Sequence, residues 1–563
     1  MRALTPFFLC FTASSVVWAS QIPIRQSEQS FPATTNFEEE TWEFDLSLIG
    51  AREPSNSTSH LVFSTVSGLL QQWANTRYRN GHTIVPGTVP QGTLLYFGSR
   101  NQEIPTTPDW VATDPEHSYH FCRGREDVGC WQLTLMTTRP LNVLYFDGSS
   151  AGKMEGGPMD SQDMLLWGKV TREPIYEEVR RINELCDWGR EFGLDGFVRM
   201  EMDFEIMLCD FTAGVEQVSH LNLVTEIPTP ANSTIVNAGD HFPSLWVTVI
   251  ESGAWHNQYP GEARIRLDLT RLVSFYDSSL VPSLVPRRYG KHRLTHRIKG
   301  MSSSDRTSVI NRLREVLGNT TEPSSGVDWS TLLRVITQRF ADRLELIQYF
   351  VNDTSDGSPS VQLKKLRSAQ FQLRTMLTPY ILFSSSPPPD SDSRANISWA
   401  TPVFKHCATT HTTLFTTNHA ISSRLTPSEK LILDAVRGTT KEICRVVVRL
   451  WAEGVMTGID PVEPYHPSTP LPAKDINNMV ARWRDEIDSL MGWLDWSVWV
   501  KCRPACSFEE MCYLPTWPFL RPSNPPHRDP QTQTGVKWPN QDNESEWLDP
   551  KPKCYRRVKP YNL

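Results

Sequence analysis

The sequence predicts an α+β protein, with a mixed sheet-and-helix domain on the N-terminal side and a mainly helical C-terminal region. Before about residue 300, short apolar and alternating runs are typical of strands. After that point, apolar residues recur at the three- and four-residue spacing of amphipathic helices. Hydrophobic residues form 39% of the 563-residue chain, which excludes a wholly disordered protein.

Prolines and glycines bound the elements of the first part. An amphipathic helix is predicted over residues 174–192, because Pro174 suits a first helical turn and Gly193 suits the residue after a helix end. Runs that are typical of strands lie at residues 91–98, 131–137, 141–146, 197–209 and 264–269.

The second part carries signals of helix starts and stops. Thr426-Pro-Ser-Glu429 is a capping box with proline at the first helical position. Helices are predicted at residues 304–317, 328–351, 361–377, 426–453 and 473–493.

These elements, together with the composition, predict how the chain is divided. We expect a signal peptide at 1–19, a flexible segment at 20–40, an α+β domain at 41–300, a helical region at 301–514 with a linker near 384–393, and a Pro-rich polar tail at 515–563. Whether the helical region stands alone or packs onto the first domain is open.

The N-terminus has the features of a secretory signal peptide. Arg2 precedes an apolar stretch at residues 7–17, and Ala19 is a suitable residue for cleavage. No later uncharged run reaches the roughly 20 residues that a membrane-spanning helix needs. We therefore expect a secreted, extracellular chain without a transmembrane segment. Its net charge of −7 does not favour nucleic acid as a partner.

Cysteines and glycosylation sequons agree with secretion. Of 11 cysteines, Cys10 leaves with the signal peptide, and the even number that remains can pair fully in an oxidising compartment. A local pair such as Cys122–Cys130 is suggested, although the connectivity stays open. N-glycosylation sequons occur at Asn56, Asn232, Asn319, Asn352, Asn396 and Asn543.

A run of alternating charges supplies candidate catalytic residues. If residues 197–209 form one strand, Arg199, Glu201, Asp203 and Glu205 share a face, with carboxylates about 6.6 Å apart. Crowded carboxylates separate in pKa, as acid–base chemistry requires. Asp147, in a turn at a strand end, is the fourth catalytic candidate, and Arg199 is a candidate for substrate binding. The alternative is a solvated strand face that Arg199 neutralises.

Each of two further segments has two interpretations: a binding site, or a segment without a binding role. His117 and His120 either form a small metal cluster with Asp114 and Glu116, or are surface or core histidines whose ring nitrogens are hydrogen-bonded and bind no metal. The basic run Arg287–Lys299 either binds an anion, such as a phosphate or acidic glycan, or is a solvated segment or processing site. We assign no metal, and the cofactor is unknown.

Three resemblances add expectations to these patterns. Glu201-x-Asp203-x-Glu205 resembles the end of the signature of chitinase-like glycoside hydrolases, although Val198-Arg199 replaces its Asp-Gly. The order of elements over residues 90–148 resembles the start of an ADP-ribosyltransferase fold, which implies NAD as substrate and aromatic stacking by Tyr119. Tyr96 is a further candidate for substrate binding. Strings such as HSYHFCRG and FGLDGFVRMEMDFE resemble a family of large secreted fungal proteins of unassigned activity, over most of residues 80–520.

Hypotheses from different classes are therefore open. The chain is an extracellular carboxylate-based hydrolase or transferase acting on glycans or glycosides, with an ADP-ribosyltransferase-like enzyme as a variant. Alternatively, it is a non-catalytic secreted or cell-wall protein that binds a glycan or an extracellular protein. A concave pocket that holds three carboxylates, at least one of them with a strongly raised pKa, would favour the enzyme. A solvated carboxylate strand without a cleft would favour the binding protein.

Overall fold

Strands from the first half of the chain form a mixed sheet of ten strands among the described residues. The computed structural model describes residues 57–122, 129–152, 157–170, 177–223, 251, 253–318, 324–353, 355–387, 396–462, 472–514 and 550–558. The sheet strands are β1 (Thr83–Val89), β2 (Leu94–Ser99), β3 (Asp109–Ala112), β4 (Cys130–Thr137), β5 (Leu141–Phe146), β6 (Gly196–Met200), β7 (Phe204–Leu208), β8 (Val215–Leu223), β9 (Arg266–Leu267) and β10 (Val273–Ser274).

The sheet follows the order β10-β1-β5-β6-β7-β3-β2-β4-β8, and β9 also pairs with β1. Strands β5 and β6 are parallel, and the other neighbours are antiparallel. A separate hairpin joins β11 (Glu510–Tyr513) to β12 (Lys553–Arg556). The predicted α+β class, with strands first and helices later, is confirmed.

The prediction of one long strand over 197–209 is wrong. These residues form the β6–β7 hairpin, in which Arg199 pairs with Glu205 across the two strands. The turn is held by hydrogen bonds from Glu201 N–H to Asp203 O at 3.2 Å and from Phe204 N–H to Asp203 Oδ1 at 2.8 Å. Residues on the two sides of a three-residue turn keep the same alternation, so the sequence pattern does not distinguish one strand from two.

Helices complete the fold on both sides of the sheet and beyond it. The helices are α1 (Ser59–Ser67), α2 (Gln72–Arg77), α3 (Pro115–Cys122), α4 (Asp160–Leu166), α5 (Glu178–Arg190), α6 (Val285–Arg288), α7 (Ser303–Gly318), α8 (Trp329–Asn352), α9 (Pro359–Leu377), α10 (Thr401–Thr409), α11 (Thr413–Thr417), α12 (His419–Ser422), α13 (Pro427–Met456) and α14 (Ala473–Leu494).

One face of the sheet packs against α4, α5 and α7. Leu144 and Phe146 of β5 join Phe197 of β6 and Leu313 of α7 in this apolar core. The intervening Tyr145 points to the opposite face, where its hydroxyl is 3.0 Å from Asn75 Oδ1 of α2. This alternation along β5 is the period-two pattern of a strand buried on both faces.

The later helices pack mainly against one another. Helix α9 contacts α8, α13 and α14, and the N-terminal helix α1 also packs against α13. Disulfides link Cys122–Cys130, Cys186–Cys209, Cys407–Cys444, Cys502–Cys512 and Cys506–Cys554, so the suggested local pair is confirmed. Within the described ranges, no helix combines the length and apolar character needed to cross a membrane.

Candidate functional site

Charged side chains from three separate parts of the chain meet beside strands β3 and β7. Asp114 follows β3, Asp203 lies in the β6–β7 turn, and the loop after Gly253 supplies the other members. The backbone brings the two aspartates together, because Thr113 N–H donates to Phe204 O at 3.3 Å. We call this set the acid–histidine cluster, and its members are Asp114, Asp203, His256, Glu262 and Arg264.

His256 is the centre of the cluster. Its Nδ1 is 2.8 Å from Asp203 Oδ1, and its Nε2 is 2.9 Å from Glu262 Oε2 and 3.5 Å from Asp114 Oδ2. The side chains of His256, Asp203 and Glu262 are fully buried. Gly253 allows this approach, since a Cβ there would lie only 3.3 Å from Cγ of Asp203. Two carboxylates therefore fix both ring nitrogens of one imidazole.

The pKa values of the two aspartates are driven apart. Burial raises the pKa of Asp114 to about 7, and the neighbouring Asp203 carboxylate, which shares a hydrogen bond with Asp114, adds to the rise. Burial also disfavours ionised Asp203, but the hydrogen bond and charge of His256 outweigh burial and lower the pKa of Asp203 to about 2. Near neutral pH the cluster thus contains an ionised aspartate beside one that is partly protonated.

The same contacts keep His256 charged. Burial opposes its protonation, but hydrogen bonds to Asp203 and Glu262 outweigh burial and raise the pKa of His256 to about 9. The pKa of Glu262 is lowered, because hydrogen bonds from Arg264 and His256 exceed the effect of burial. The cluster is therefore a compact set of alternating charges in which Asp114 is the group that titrates near neutrality.

Arg264 occupies the position between the carboxylates. Donor atoms of Asp114, His256 and Glu262 lie within 4.8 Å of one another, a spacing that would suit a cation. Arg264 Nη2 lies 2.9 Å from Asp114 Oδ2 and 2.6 Å from Glu262 Oε2, so a guanidinium already neutralises them. The sulfur triad Cys502, Cys506 and Cys554 is engaged in disulfides.

His117 extends the cluster on its α3 side. It lies three residues after Asp114, is fully buried, and makes an electrostatic contribution that helps to lower the pKa of Asp203. Neither ring nitrogen of His117 has a hydrogen-bond partner in the part of the chain that the structure describes. Of the four residues that suggested a metal cluster, Asp114 and His117 thus lie together near Asp203.

Two aromatic side chains lie at the exposed edge of the cluster. Trp255 is 43% exposed, and its ring is 5.3 Å from the guanidinium carbon of Arg264. Tyr96 is half-buried, and its pKa is raised by burial, with Asp114 adding to the rise and Arg264 opposing it. The side chain of Asp114 is 12% exposed, whereas those of Asp203 and Glu262 are fully buried, so Asp114 is the most accessible carboxyl of the cluster.

The predicted site residues divide into separate groups. Asp203 belongs to the acid–histidine cluster, and Tyr96 is close enough for the charges of Asp114 and Arg264 to affect its pKa. Glu201, in the same turn as Asp203, is 8% exposed. Tyr119 lies on α3 and is half-buried. Asp147 is buried at the end of β5, where its Oδ1 accepts a hydrogen bond from Thr83 N–H at 2.7 Å.

Arg199 and Glu205 form a different buried group. Arg199 Nη2 is 2.8 Å from Glu205 Oε1, and the same nitrogen pairs with Glu178 of α5. Arg181 of α5 pairs with Asp163 of α4 at 2.6 Å. These residues therefore join the β6–β7 hairpin to two helices on one face of the sheet. Their proposed catalytic and substrate-binding roles stay predictions.

Sequence reasoning did not select His256, Glu262 or Arg264. All three lie between Gly253 and β9. His256 is in a short 3-10 helix, Ala254–Asn257, and Arg264 is the first residue of the run at 264–269, whose alternation predicted a strand and not a site. The signal that points to them is the close succession of Trp, His, Glu and Arg in a loop, since functional groups are frequent on loops.

Comparison with known proteins relates the chain to fungal proteins. Residues 48–132 and 126–240 match the family model described as the YPL277C N-terminal domain. The chain is 23% identical to the uncharacterized protein YOR389W of Saccharomyces cerevisiae over 550 residues, with 82% of each chain covered. It is 26% identical to the uncharacterized protein YPL277C of the same yeast over 397 residues, covering 55% of this chain and 78% of the relative. No solved structure matches.

These similarities support the predicted relationship to a fungal family of unassigned activity. The relatives are described as uncharacterized, so no activity comes from them. Asp114 and Asp203 lie within the matched range 48–240, whereas His256, Glu262 and Arg264 follow it.

Proposed function

We propose that the chain is a secreted hydrolase or transferase that uses acid–base catalysis on glycans or glycosides, with Asp114 as the general acid. One observation carries the proposal: the neighbouring carboxyl groups of Asp114 and Asp203 have pKa values of about 7 and about 2. Environments that separate the pKa values of adjacent carboxyl groups are typical of acid–base sites.

The members of the acid–histidine cluster take different roles in this proposal. Asp114 is the most accessible carboxyl of the cluster, so it donates the proton to the oxygen of the leaving group as the glycosidic bond breaks. Water or a glycan hydroxyl attacks the anomeric carbon and releases its proton to solvent, from which Asp114 is protonated again. Asp203 is buried and ionised, and its negative charge helps to keep Asp114 protonated near neutral pH. His256 and Glu262 position Asp203 and Arg264. Trp255 and Tyr96 offer aromatic surfaces on which the apolar face of a sugar ring packs.

Secretion rests on the predicted signal peptide together with the disulfides. Five disulfides are distributed from α3 to β12. Structural disulfides persist in oxidising compartments and are rare in the cytosol. A glycan of the cell wall or extracellular space is therefore the substrate class that fits both the site and the compartment.

The test is a screen of chromogenic glycosides and glycan acceptors with the secreted protein and its Asp114→Asn variant. We expect kcat of the variant to fall about 10²–10⁴-fold, the range for loss of a general acid. The basic limb of the wild-type pH–rate profile should fall near pH 7, because Asp114 loses its proton there. Asp109→Asn, on β3 outside the cluster, is the matched control and should keep activity. Full activity of folded Asp114→Asn would contradict the assignment.

The same screen decides between this proposal and its alternatives. NAD is included, because an ADP-ribosyltransferase-like enzyme would release nicotinamide from it. A folded wild-type protein that binds a glycan array without turning over any substrate would favour the non-catalytic binding protein instead.

A further inference from the structure

The basic run Arg287–Lys299, which lies outside the acid–histidine cluster, contains two kinds of cationic side chain. One kind, the inner set, is engaged within the fold and consists of Arg288, Arg293 and Arg297. The other kind, the outer set, is exposed and consists of Arg287, Lys291 and Lys299. The run is therefore neither wholly buried nor a uniformly solvated segment.

The inner set fixes the run against the rest of the protein. Arg288 is buried and donates to the backbone carbonyl that follows β10. Arg293 donates to two hydroxyl groups of α1 at 2.7 and 2.9 Å. Arg297 pairs with Asp160 of α4 at 2.7 Å. Because three elements hold these arginines, the exposed residues between them are carried on a fixed backbone.

Tyr289 lies at the tip of a tight turn in this run. Lys291 N–H donates to Arg288 O at 3.0 Å, and the turn residues Tyr289 and Gly290 have φ values of −55° and +66°. These values define a type II turn, whose third position requires the positive φ that glycine adopts easily. His296 supports the turn, since its Nε2 is 3.2 Å from Lys291 O. The turn exposes 57% of Tyr289 to solvent.

The outer cations surround this aromatic side chain and are available for a ligand. Arg287 and Lys291 each lie two residues from Tyr289 in the chain. A Cβ at Gly300 would lie 2.7 Å from Arg287 Nη1, so the guanidinium lies over the backbone next to Lys299. Across the described ranges, the side chains of all three outer cations lack an ion-pair or hydrogen-bond partner.

We propose that this surface, the basic turn formed by Arg287, Tyr289, Lys291 and Lys299, binds an acidic polysaccharide. The ring of Tyr289 packs on the apolar face of one sugar, and the outer cations pair with ionised carboxylate, sulfate or phosphate groups of that sugar and its neighbours. The proposal rests on secretion but not on catalysis by Asp114, since the basic turn and the acid–histidine cluster share no residue.

A polymer fits this surface better than a single small anion. One exposed ion pair contributes little to binding, because water and salt screen it. Several such pairs along one chain act together, since each contact raises the effective concentration of the next charged group. The protein as a whole has a net charge of −7 and repels a polyanion, so binding must come from a local basic surface.

The other common polyanions fit less well. Anionic lipids are concentrated in the cytoplasmic leaflet of membranes, which a secreted protein does not meet. Proteins that bind nucleic acid carry an extended basic stripe or face and have a basic domain as a whole. An acidic polysaccharide of the cell wall or extracellular space is therefore the partner that the basic turn favours.

The test is calorimetric titration of the secreted protein with polygalacturonate, which carries carboxylates, and with dextran sulfate. Neutral dextran is the uncharged polymer. We expect saturable binding of at least one acidic polymer and none of dextran. Tighter binding of polygalacturonate assigns carboxylates as the recognised groups, and tighter binding of dextran sulfate assigns sulfate or phosphate. Absence of saturable binding to both acidic polymers would overturn the proposal.

Charge variants test the outer cations. The first variant carries three substitutions: Arg287→Gln, Lys291→Gln and Lys299→Gln. We expect its affinity to fall about tenfold or more, because the paired charges act together. The control variant removes the same charge from exposed positions elsewhere: Lys364→Gln, Arg424→Gln and Lys474→Gln. It should bind like the wild type, and equal weakening in both variants would contradict a specific surface.

The Tyr289→Ala variant tests the stacking. It should weaken binding by a similar factor at about 0.1 M and about 0.3 M salt, because salt screens charges but not ring packing. The control is Tyr349→Ala on α8, where the tyrosine is 63% exposed. Unchanged affinity of folded Tyr289→Ala would overturn the proposal.

Two further measurements separate this site from its competitors. The Asp114→Asn variant should bind the acidic polymer like the wild type, so failure of the proposed catalysis and failure of the basic turn are distinguishable. Vesicles of phosphatidylserine and duplex DNA are titrated in the same buffer. Tighter binding of either than of both polysaccharides would overturn the assignment of the partner.

Discussion

Arg199 shows how a charged residue in a strand can be structural rather than exposed. It is fully buried, and ion pairs with Glu178 and Glu205 raise its pKa above the usual range although burial opposes its charge. The sequence pattern of alternating charges suggested either a catalytic or a solvated face. The structure buries Arg199 and Glu205 between sheet and helices, where cross-strand and strand–helix partners neutralise them, so these two residues do not form a solvated face.

Removing one partner from this buried pair should be strongly destabilising. We expect Arg199→Ala to lower the free energy of unfolding by about 3–5 kcal/mol, since Glu178 and Glu205 would remain buried without their cation. Urea denaturation measures the change.

The control for this prediction is Arg190→Ala on α5. The Arg190–Asp187 pair is exposed, with side chains 79% and 67% accessible, and should cost under about 1 kcal/mol. An Arg199→Ala variant no less stable than Arg190→Ala would contradict the structural role of Arg199.

At the scale of elements, local signals predicted the helices well. The capping box at Thr426 is present: Thr426 Oγ1 accepts from Glu429 N–H at 3.1 Å, and Glu429 Oε2 accepts from Thr426 N–H at 2.9 Å. Helices α7, α8, α9 and α14 begin and end within two residues of their predicted bounds. Such bounds depend on neighbouring residues, which the sequence displays directly.

The substitution Thr426→Ala tests how much this cap contributes to the stability of the protein. We expect a loss of about 1–2 kcal/mol in the free energy of unfolding, at the upper end for a cap, because Thr426 Oγ1 also donates to Thr270 O at 2.7 Å. Ser358 precedes α9 without making a side-chain cap, so Ser358→Ala should change stability by less than about 0.5 kcal/mol. Equal losses in both variants would argue against the cap.

The hairpin and the acid–histidine cluster were harder to predict because both depend on distant contacts. The cluster joins residues from β3, the β6–β7 turn and the loop before β9, and nothing local connects these segments. Asp203 was selected for its neighbours in the sequence, whereas its ion-pair partner in the cluster, His256, lies in another segment. Sequence patterns indicate periodicity and caps, but not which loops meet in space.

At the scale of the whole molecule, the disulfides give the sharpest expectation. The ten cysteines outside the predicted signal peptide all pair. Denatured mature protein should therefore show no reaction with a thiol reagent before reduction and ten thiols per chain after it. Intracellular expression in a reducing cytosol is the control. Free thiols in the secreted protein would contradict the pairing.

The packing of α1 against α13 has a consequence for the synthesis of the chain. Translation adds about 5–20 residues per second, so α1 leaves the ribosome tens of seconds before its partner is made. During that interval its apolar side chains, which include Leu61, Val62 and Phe63, have no native surface to cover them. The nascent chain therefore exposes these side chains until the later helices have emerged, and it reaches its native state only after α13 has been made.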